Sequence, residues 1–330
     1  MTSELARCLI ERISKMSDAE ITNMITYAER EYDMVNGVLW FTKYATFETL
    51  TTPIRDLFPD QHEIIVRIDY TNISDVLKGK QYSLKGHFLQ CSSLERIDFG
   101  NNFDTSMVTD MTEMFCNCYS IENLDLSSFD TSRVESMRDM FLECGSLKSV
   151  NVSSFDTHNV VDMDGMFYGC EELESLDLSS FSTYNVKNMN AMFHSCFNLS
   201  TLDLSSFDTS MVKNMTEMFS GCTKLESVNL SSFDTSSVQS MAHMFEFCES
   251  LESLDLSSFD TSNVMPVSGM FSRCKSMTCL NIAHFDKHAM ENAYWLFEGC
   301  DVLMQVYASE DVIPYIKNKL PPACEIHVCE

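Results

Sequence analysis

The chain has 330 residues, 45% of them hydrophobic, and a formal net charge of −27. That apolar content supports a large buried core and excludes an intrinsically disordered chain. The charge repels nucleic acid phosphates and anionic lipid headgroups, so it favours basic proteins, cationic ligands or metal ions as partners, besides keeping apolar repeats soluble.

The opening MTSELARCLIERISKMSDAE is charged throughout and offers no apolar run of about 7–15 residues, the length a secretory signal needs. No segment approaches a membrane span, and the closing PPACEIHVCE has neither a hydrophobic anchor nor a lipidation box. The expectation is a cytoplasmic protein without membrane insertion; display on a cell or virion surface would need a signal-independent route. Ser17 with Glu20 forms a capping box, predicting a helix that ends near Asn36-Gly37. Residues 1–62 are accordingly expected to form a small helical N-terminal domain. Ile65 to Tyr70 (IVRIDY) fits a strand, and Val76 to Phe88 resembles a helical segment with KGKQY inserted, so 63–90 reads as a degenerate N-terminal capping repeat.

From here the chain repeats. Phe103, Phe129, Phe155, Phe181, Phe207, Phe233, Phe259 and Phe285 are spaced 26 residues apart without insertion or deletion. Cys118, Cys144, Cys170, Cys196, Cys222, Cys248, Cys274 and Cys300 keep the same step, and Cys91 joins them if Gly100 is one extra residue. The unit reads LxxLDLSSFDTSxVxxMxxMFxxC. Its first part alternates apolar and polar residues, the pattern of a short strand. After FDTS the apolar residues recur at three and four, as in Val134, Met137, Met140 and Phe141, the pattern of a short helix that Asp, Thr and Ser would cap. The acidity sits in this part: residues 1–90 hold 10 Lys+Arg and 13 Asp+Glu, against 12 and 36 in the remainder.

One repeat buries too little apolar surface to offset the entropy of ordering it, so repeats must stack and carry caps. Repeats of this kind span 91–300, and 301–330 is the C-terminal cap. There Val306 begins a final strand, Ser309 caps a helix through Ile316, and Pro321-Pro322 stops it before Ile326 and Val328. The predicted fold class is α/β: a leucine-rich-repeat solenoid, with a parallel strand ladder and short helical segments, preceded by the helical domain.

LDLSSFDTS followed by VxxMxxMFxxC, in register over about 63–310, resembles the BspA-type leucine-rich repeats, a 26-residue class. The resemblance implies a right-handed-crossover solenoid and, as in relatives displayed on microbial surfaces, adhesion to host or matrix proteins. It does not extend to residues 1–62 and implies no enzymatic activity.

Little else in the sequence points to catalysis. There is no phosphate-binding glycine loop, HExxH helix or GxSxG elbow, and the eight histidines follow no column. Cys324, His327 and Cys329 are the only compact set of metal-ligand types, but zinc normally takes four protein ligands. No metal site and no cofactor is therefore expected. The cysteine column reads as small buried hydrophobes rather than disulfides, because side chains in one column point the same way. Asp98, Asp125, Asn151, Asp177, Asp203, Asn229, Asp255 and Asn281 should face the concave sheet, where the pairs Asp98/Asp125 and Asp177/Asp203 could share a hard cation.

Solenoids bind through the surface that varies. The concave strand is monotonous, with Ser127, Ser153, Ser179, Ser205, Ser231 and Ser257 beside the Asp/Asn column. The column after the Phe of MF instead runs Cys116, Leu142, Tyr168, His194, Ser220 and Glu246, with Tyr119 and Phe197 nearby. Tyr119, Leu142, Tyr168, His194 and Phe197 are thus the expected partner-binding residues, and the reading is a non-enzymatic module for protein-protein interaction or adhesion. The alternative is an intracellular inhibitor or scaffold that masks a basic partner. No nucleic acid is expected, and oligomeric state is not legible.

Overall fold

Asn36 and Gly37 both take positive φ, 52° and 78°, the requirement of a two-residue type I′ turn. They join strands β1 (Tyr32–Val35) and β2 (Val38–Phe41) in an antiparallel hairpin, with Val35 opposite Val38. The computed structural model describes residue 17 and residues 30–265, 267–291 and 293–329, so most of the helix expected from Ser17 lies outside the described residues. Where its predicted end is described, at 32–37, the chain is strand and turn instead. The rest of the described N-terminal part holds two short helices, α1 (Phe47–Thr51) and α2 (Ile54–Leu57). It is not a separate layer: β2 pairs in parallel with β3 (Arg67–Asp69), and β3 with β4 (Arg96–Asp98).

Most further coils contribute a strand of three to five residues to one side of the solenoid, and the coil at 175–177 contributes none. β5 (Asn123–Asp125) pairs with β6 (Ser149–Asn151), and β7 (Thr201–Asp203) with β8 (Ser227–Asn229). β9 (Ser253–Asp255), β10 (Cys279–Ile282), β11 (Gln305–Ser309) and β12 (Glu325–Cys329) form a four-stranded parallel sheet. In each repeat strand the central residue points inward and its neighbours outward, as period two requires; Leu124, Leu202 and Leu254 are buried. This ladder has breaks, between β4 and β5, β6 and β7, and β8 and β9.

The opposite side corrects the expected short helices. Among the described residues no helix occurs between 105 and 285. In the coil from Met111 to Cys118, the N–H groups of Met111, Glu113, Phe115 and Asn117 donate to the carbonyls of Ser136, Arg138, Met140 and Leu142 in the next coil, at 2.8–3.0 Å. The alternate groups of Met114, Cys116 and Cys118 close back three residues, and Thr112 N–H is taken by the Asp110 carboxylate. Every amide of the segment is thereby satisfied without a helix. Positive φ at Glu113 (56°) and Asn117 (61°), repeated at Asp139, Glu143, Ala191, Ser195, Glu217, His243 and Phe247 and at glycines 165, 169, 221 and 269, keeps a helix from propagating. Turns closing over three residues still bring Val134, Met137, Met140 and Phe141 inward, all fully buried, which is why their spacing imitates one. This second ladder includes parallel bridges in unbroken succession from Asp110 to Ser240.

Three side-chain columns tie the coils together inside. Phe88, Phe115, Phe141, Phe167, Phe193, Phe219, Phe245, Phe271 and Phe297 stack face to face, with ring centroids 5.1–6.2 Å apart. Each column cysteine from Cys118 to Cys300 donates its thiol to the carbonyl of a phenylalanine one coil back, as Cys144 does to Phe115 at 3.1 Å. Buried threonines bridge forward: Thr183 Oγ1 donates to the Asp208 carbonyl and accepts from the Asp208 N–H, both at 2.8 Å. The aspartates of FDTS form Asx turns rather than helix caps, as Asp130 accepts from Ser132 N–H at 3.0 Å.

The ends differ from the repeats. Gly100, the extra residue of the first full repeat, has φ 67°, and a side chain there would meet the Thr71 backbone at 2.7 Å. Beneath it Tyr70 Oη and His87 Nε2 lie 3.1 Å apart in the core, and burial pushes the His87 pKa down to about 3. At the far end Ser309 does not cap the helix α4 (Ile313–Ile316), whose N-cap is Val312 without a side-chain bond. β11 is not the last strand, since β12 pairs with it. Another short helix, α3 (Lys287–Glu291), precedes the last full coil. Among the described residues no helix is long and apolar enough to cross a membrane.

The threonine column gives a direct stability test. Thr183→Val keeps the volume but strands a buried N–H and a carbonyl, so it should cost about 1–3 kcal/mol, read as a lower urea midpoint; Thr183→Ser should stay close to the parent. Equal midpoints for all three would remove the threonine bridge from the account.

Candidate protein-binding groove

The backbone of the variable column is pinned while its side chains are free to differ. The carbonyls of Leu142, Tyr168, His194, Ser220 and Glu246 accept from the N–H groups of Asn117, Glu143, Gly169, Ser195 and Gly221 one coil back. The coil geometry is therefore indifferent to which side chain stands there.

Of the five expected partner-binding residues, three come together. The Tyr168 and His194 rings stack at 4.5 Å and 9°, both half-buried. Beside His194, exposed Phe197 forms one wall of a groove of about 360 Å³ whose other wall is Phe247 and Glu246. The groove exists because the coil between carries Ser220 and Gly221, which are too small to fill the space. Gly221 is held at φ 78°, and an added Cβ would lie 3.2 Å from the Ser195 Cα. Tyr119 and Leu142 lie outside it. Tyr119 is exposed, with its hydroxyl donating to Asn117 Oδ1 at 3.0 Å, and Leu142 is half-buried two coils before His194.

The rim is acidic. Glu217 Oε2 lies 3.4 Å from His194 Nδ1, too poorly aimed for a hydrogen bond, and Glu246 Oε2 lies 2.7 Å from His243 Nδ1. Burial holds the His194 pKa below the ordinary histidine value, with Glu217 and Glu246 pulling weakly the other way. At neutral pH the imidazole is thus an uncharged ring, and the carboxylates are left to attract a cation. Phe247 already shows the chemistry: the Arg273 guanidinium lies 5.0 Å from its ring centroid, within cation–π range. Sequence reasoning missed Phe247 and Glu217 because they belong to two neighbouring columns. Gly221 was the available signal, a missing side chain between two phenylalanines one coil to either side.

A larger cleft of about 920 Å³ lies on the strand side where β4 and β5 do not pair. Its aspartates are already engaged. Asp98 is held by Arg67 and Arg96, each at 2.7 Å, and Asp125 accepts from Ser127 N–H and from Asn151 Nδ2, both at 3.0 Å. Asp203 likewise accepts from Ser205 N–H and Asn229. The Asp/Asn column is therefore a hydrogen-bonded edge to the turns. Among the described residues no three His, Cys, Asp or Glu side chains are placed to hold a metal ion; His327 stacks on Tyr307 at 4.7 Å.

Burial also raises the thiol pKa values through the middle of the cysteine column, from Cys144 to Cys248. The Cys222 pKa is pushed up to about 12, and the column from Cys91 to Cys300 is buried, whereas Cys279, Cys324 and Cys329 are half-exposed. Because the thiolate is the reactive form, native protein treated with a thiol reagent should be labelled at Cys279, Cys324 and Cys329, and at the column only after denaturation. Rapid native labelling of Cys170 or Cys222, read by peptide mass spectrometry, would contradict this packing.

Among solved structures the chain is similar to a leucine-rich repeat protein from Bacteroides ovatus, at 16% identity and a TM-score of 0.33, covering 81% of this chain and 85% of that one. It is also similar to the pneumococcal vaccine antigen PcpA, at 13% identity and 0.33, covering 81% and 68%, and to an internalin (inlF) from Listeria monocytogenes, at 12% and 0.22, covering 86% and 95%. Likeness at these values says nothing of what this chain binds. No curated protein matches it in sequence. A family model matches residues 82–202 and 192–309, well over half the chain, and the chain belongs to that family, described as "Mycoplasma protein of unknown function, DUF285".

Proposed function

We propose that this chain is a non-enzymatic protein-binding module that holds a basic protein through the groove between Phe197 and Phe247. The observation that carries the reading is the pairing of two partly exposed phenylalanines with the carboxylates of Glu217 and Glu246 around one notch, on a chain of charge −27. Aromatic side chains in a pocket are the usual anchors of protein interfaces, and the acidic rim selects the sign of the partner and speeds its approach. Tyr168 stacked on His194 extends the anchor along the stripe, with Leu142 and Tyr119 as its outer contacts. Adhesion, which the resemblance to BspA-type repeats implies, and masking of a basic protein would both use this contact.

The test is affinity capture with the full chain beside a Phe197→Ser/Phe247→Ser double variant, after both give matching thermal unfolding. Each lost anchor is worth about 1–2 kcal/mol, so the variant should retain the basic partner at least ten-fold less well, and added salt should weaken capture by the parent. Undiminished capture of the same protein by a folded double variant would overturn the groove as the binding site.

A further inference from the structure

The variable column does not end at Glu246. Two coils further on it reaches Glu298, beside a second opening of about 500 Å³ lined by Tyr294, Trp295, Glu291, Glu298 and Lys319 together with apolar residues. The Tyr294 and Trp295 rings stand 6.0 Å apart at 52°, two walls of an open angle. Both side chains are nearly two-thirds exposed, at 63% and 64%.

Core packing does not account for this pair. Trp295 occupies the left-handed position that every coil requires, with φ 55°, where other coils place Glu113, Asp139, Gly165, Ala191, Glu217, His243 and Gly269. Left-handed backbone is costly for a bulky side chain, and an exposed ring recovers little of that cost through burial. The charges around the rings are also arranged. Lys319 donates to the Ala293 carbonyl at 2.8 Å, so its ammonium is engaged with the protein's own backbone. Glu291 and Glu298 are the remaining charged groups of the lining, and the imidazole of His288 lies 3.4 Å from Glu291 Oε1. Two electron-rich ring faces with two carboxylates favour a cation, since each ring attracts positive charge within about 6 Å of its centroid.

We propose that Tyr294 and Trp295 form an aromatic box for a guanidinium or ammonium group carried by a basic protein, with Glu291 and Glu298 closing its rim. The box continues the stripe of the groove and so makes a second contact with the same class of partner. This rests on the basic-partner reading, but the site is tested without any partner.

The probe is Nα-acetyl-arginine amide, titrated into the full chain carrying Trp40→Phe so that fluorescence reports Trp295 alone. The expected result is a saturable change, about ten-fold weaker for the citrulline analogue, which has the same shape without the charge. Calorimetry should show the binding lost in Trp295→Ala and weakened in Glu291→Gln/Glu298→Gln, each checked for unchanged thermal unfolding. It should be kept in Phe197→Ser/Phe247→Ser. Equal binding of the citrulline analogue would make the opening a merely apolar pocket and overturn the proposal, as would the absence of saturation. Loss of binding in the groove variant alone would place the cation in the groove and overturn the box, whereas failure of partner capture with arginine binding intact would count against the groove only.

Discussion

The constraint on which the rest depends is the disposal of backbone hydrogen bonds on the side of the solenoid opposite the strands. Here each coil folds the side opposite its strand into three-residue turns rather than a helix, and those turns bond to the next coil. Alternate N–H groups such as those of Phe141 and Glu143 reach the carbonyls of Met166 and Tyr168 at 2.9 and 2.7 Å, and the ladder recurs coil after coil where the strand ladder is interrupted. Propagation is nearest-neighbour, as in other repeat arrays.

Two consequences follow for sequence. Two positions per coil must be left-handed, and the chain fills most of them with glycine, acidic or small residues, with His243, Phe247, Arg273 and Trp295 as departures. Inside, the side chains must repeat at the coil spacing, and cysteine and threonine recur because each reaches a backbone group of the neighbouring coil while fitting a small space. The column after the second phenylalanine carries no such duty. Its side chains are free to change, which is why Leu142, Tyr168, His194 and Ser220 can differ at equivalent places and why a groove can open where one of them is small.

Much of this was legible. The 26-residue register places the phenylalanine and cysteine columns correctly, and Cys91 falls into the column once Gly100 is treated as extra, as the Cys118 thiol on the Phe88 carbonyl confirms. The helical segments were misread because three-residue turns and a helix share the same apolar spacing; only the left-handed residues distinguish them, and Glu113 or Asp139 do not advertise that conformation. At Asn36-Gly37 the Asn-Gly pair between the apolar-rich YDMV and VLWF is itself a hairpin signal, which competes with the distant capping box. At the groove, one column identified His194 and Phe197. The opposing wall needed the neighbouring coil, and nothing in a linear reading aligns Phe247 with Phe197 across Gly221.

The most direct test of the inter-coil ladder is native-state hydrogen exchange resolved to single amides in the middle coils. The N–H groups of Met163, Gly165, Phe167 and Gly169, which donate to the carbonyls of Asn188, Asn190, Met192 and His194, should exchange as slowly as that of the buried strand residue Leu202. Rapid exchange there, with the strand side still protected, would show that the strands alone hold the coils together and would contradict the account.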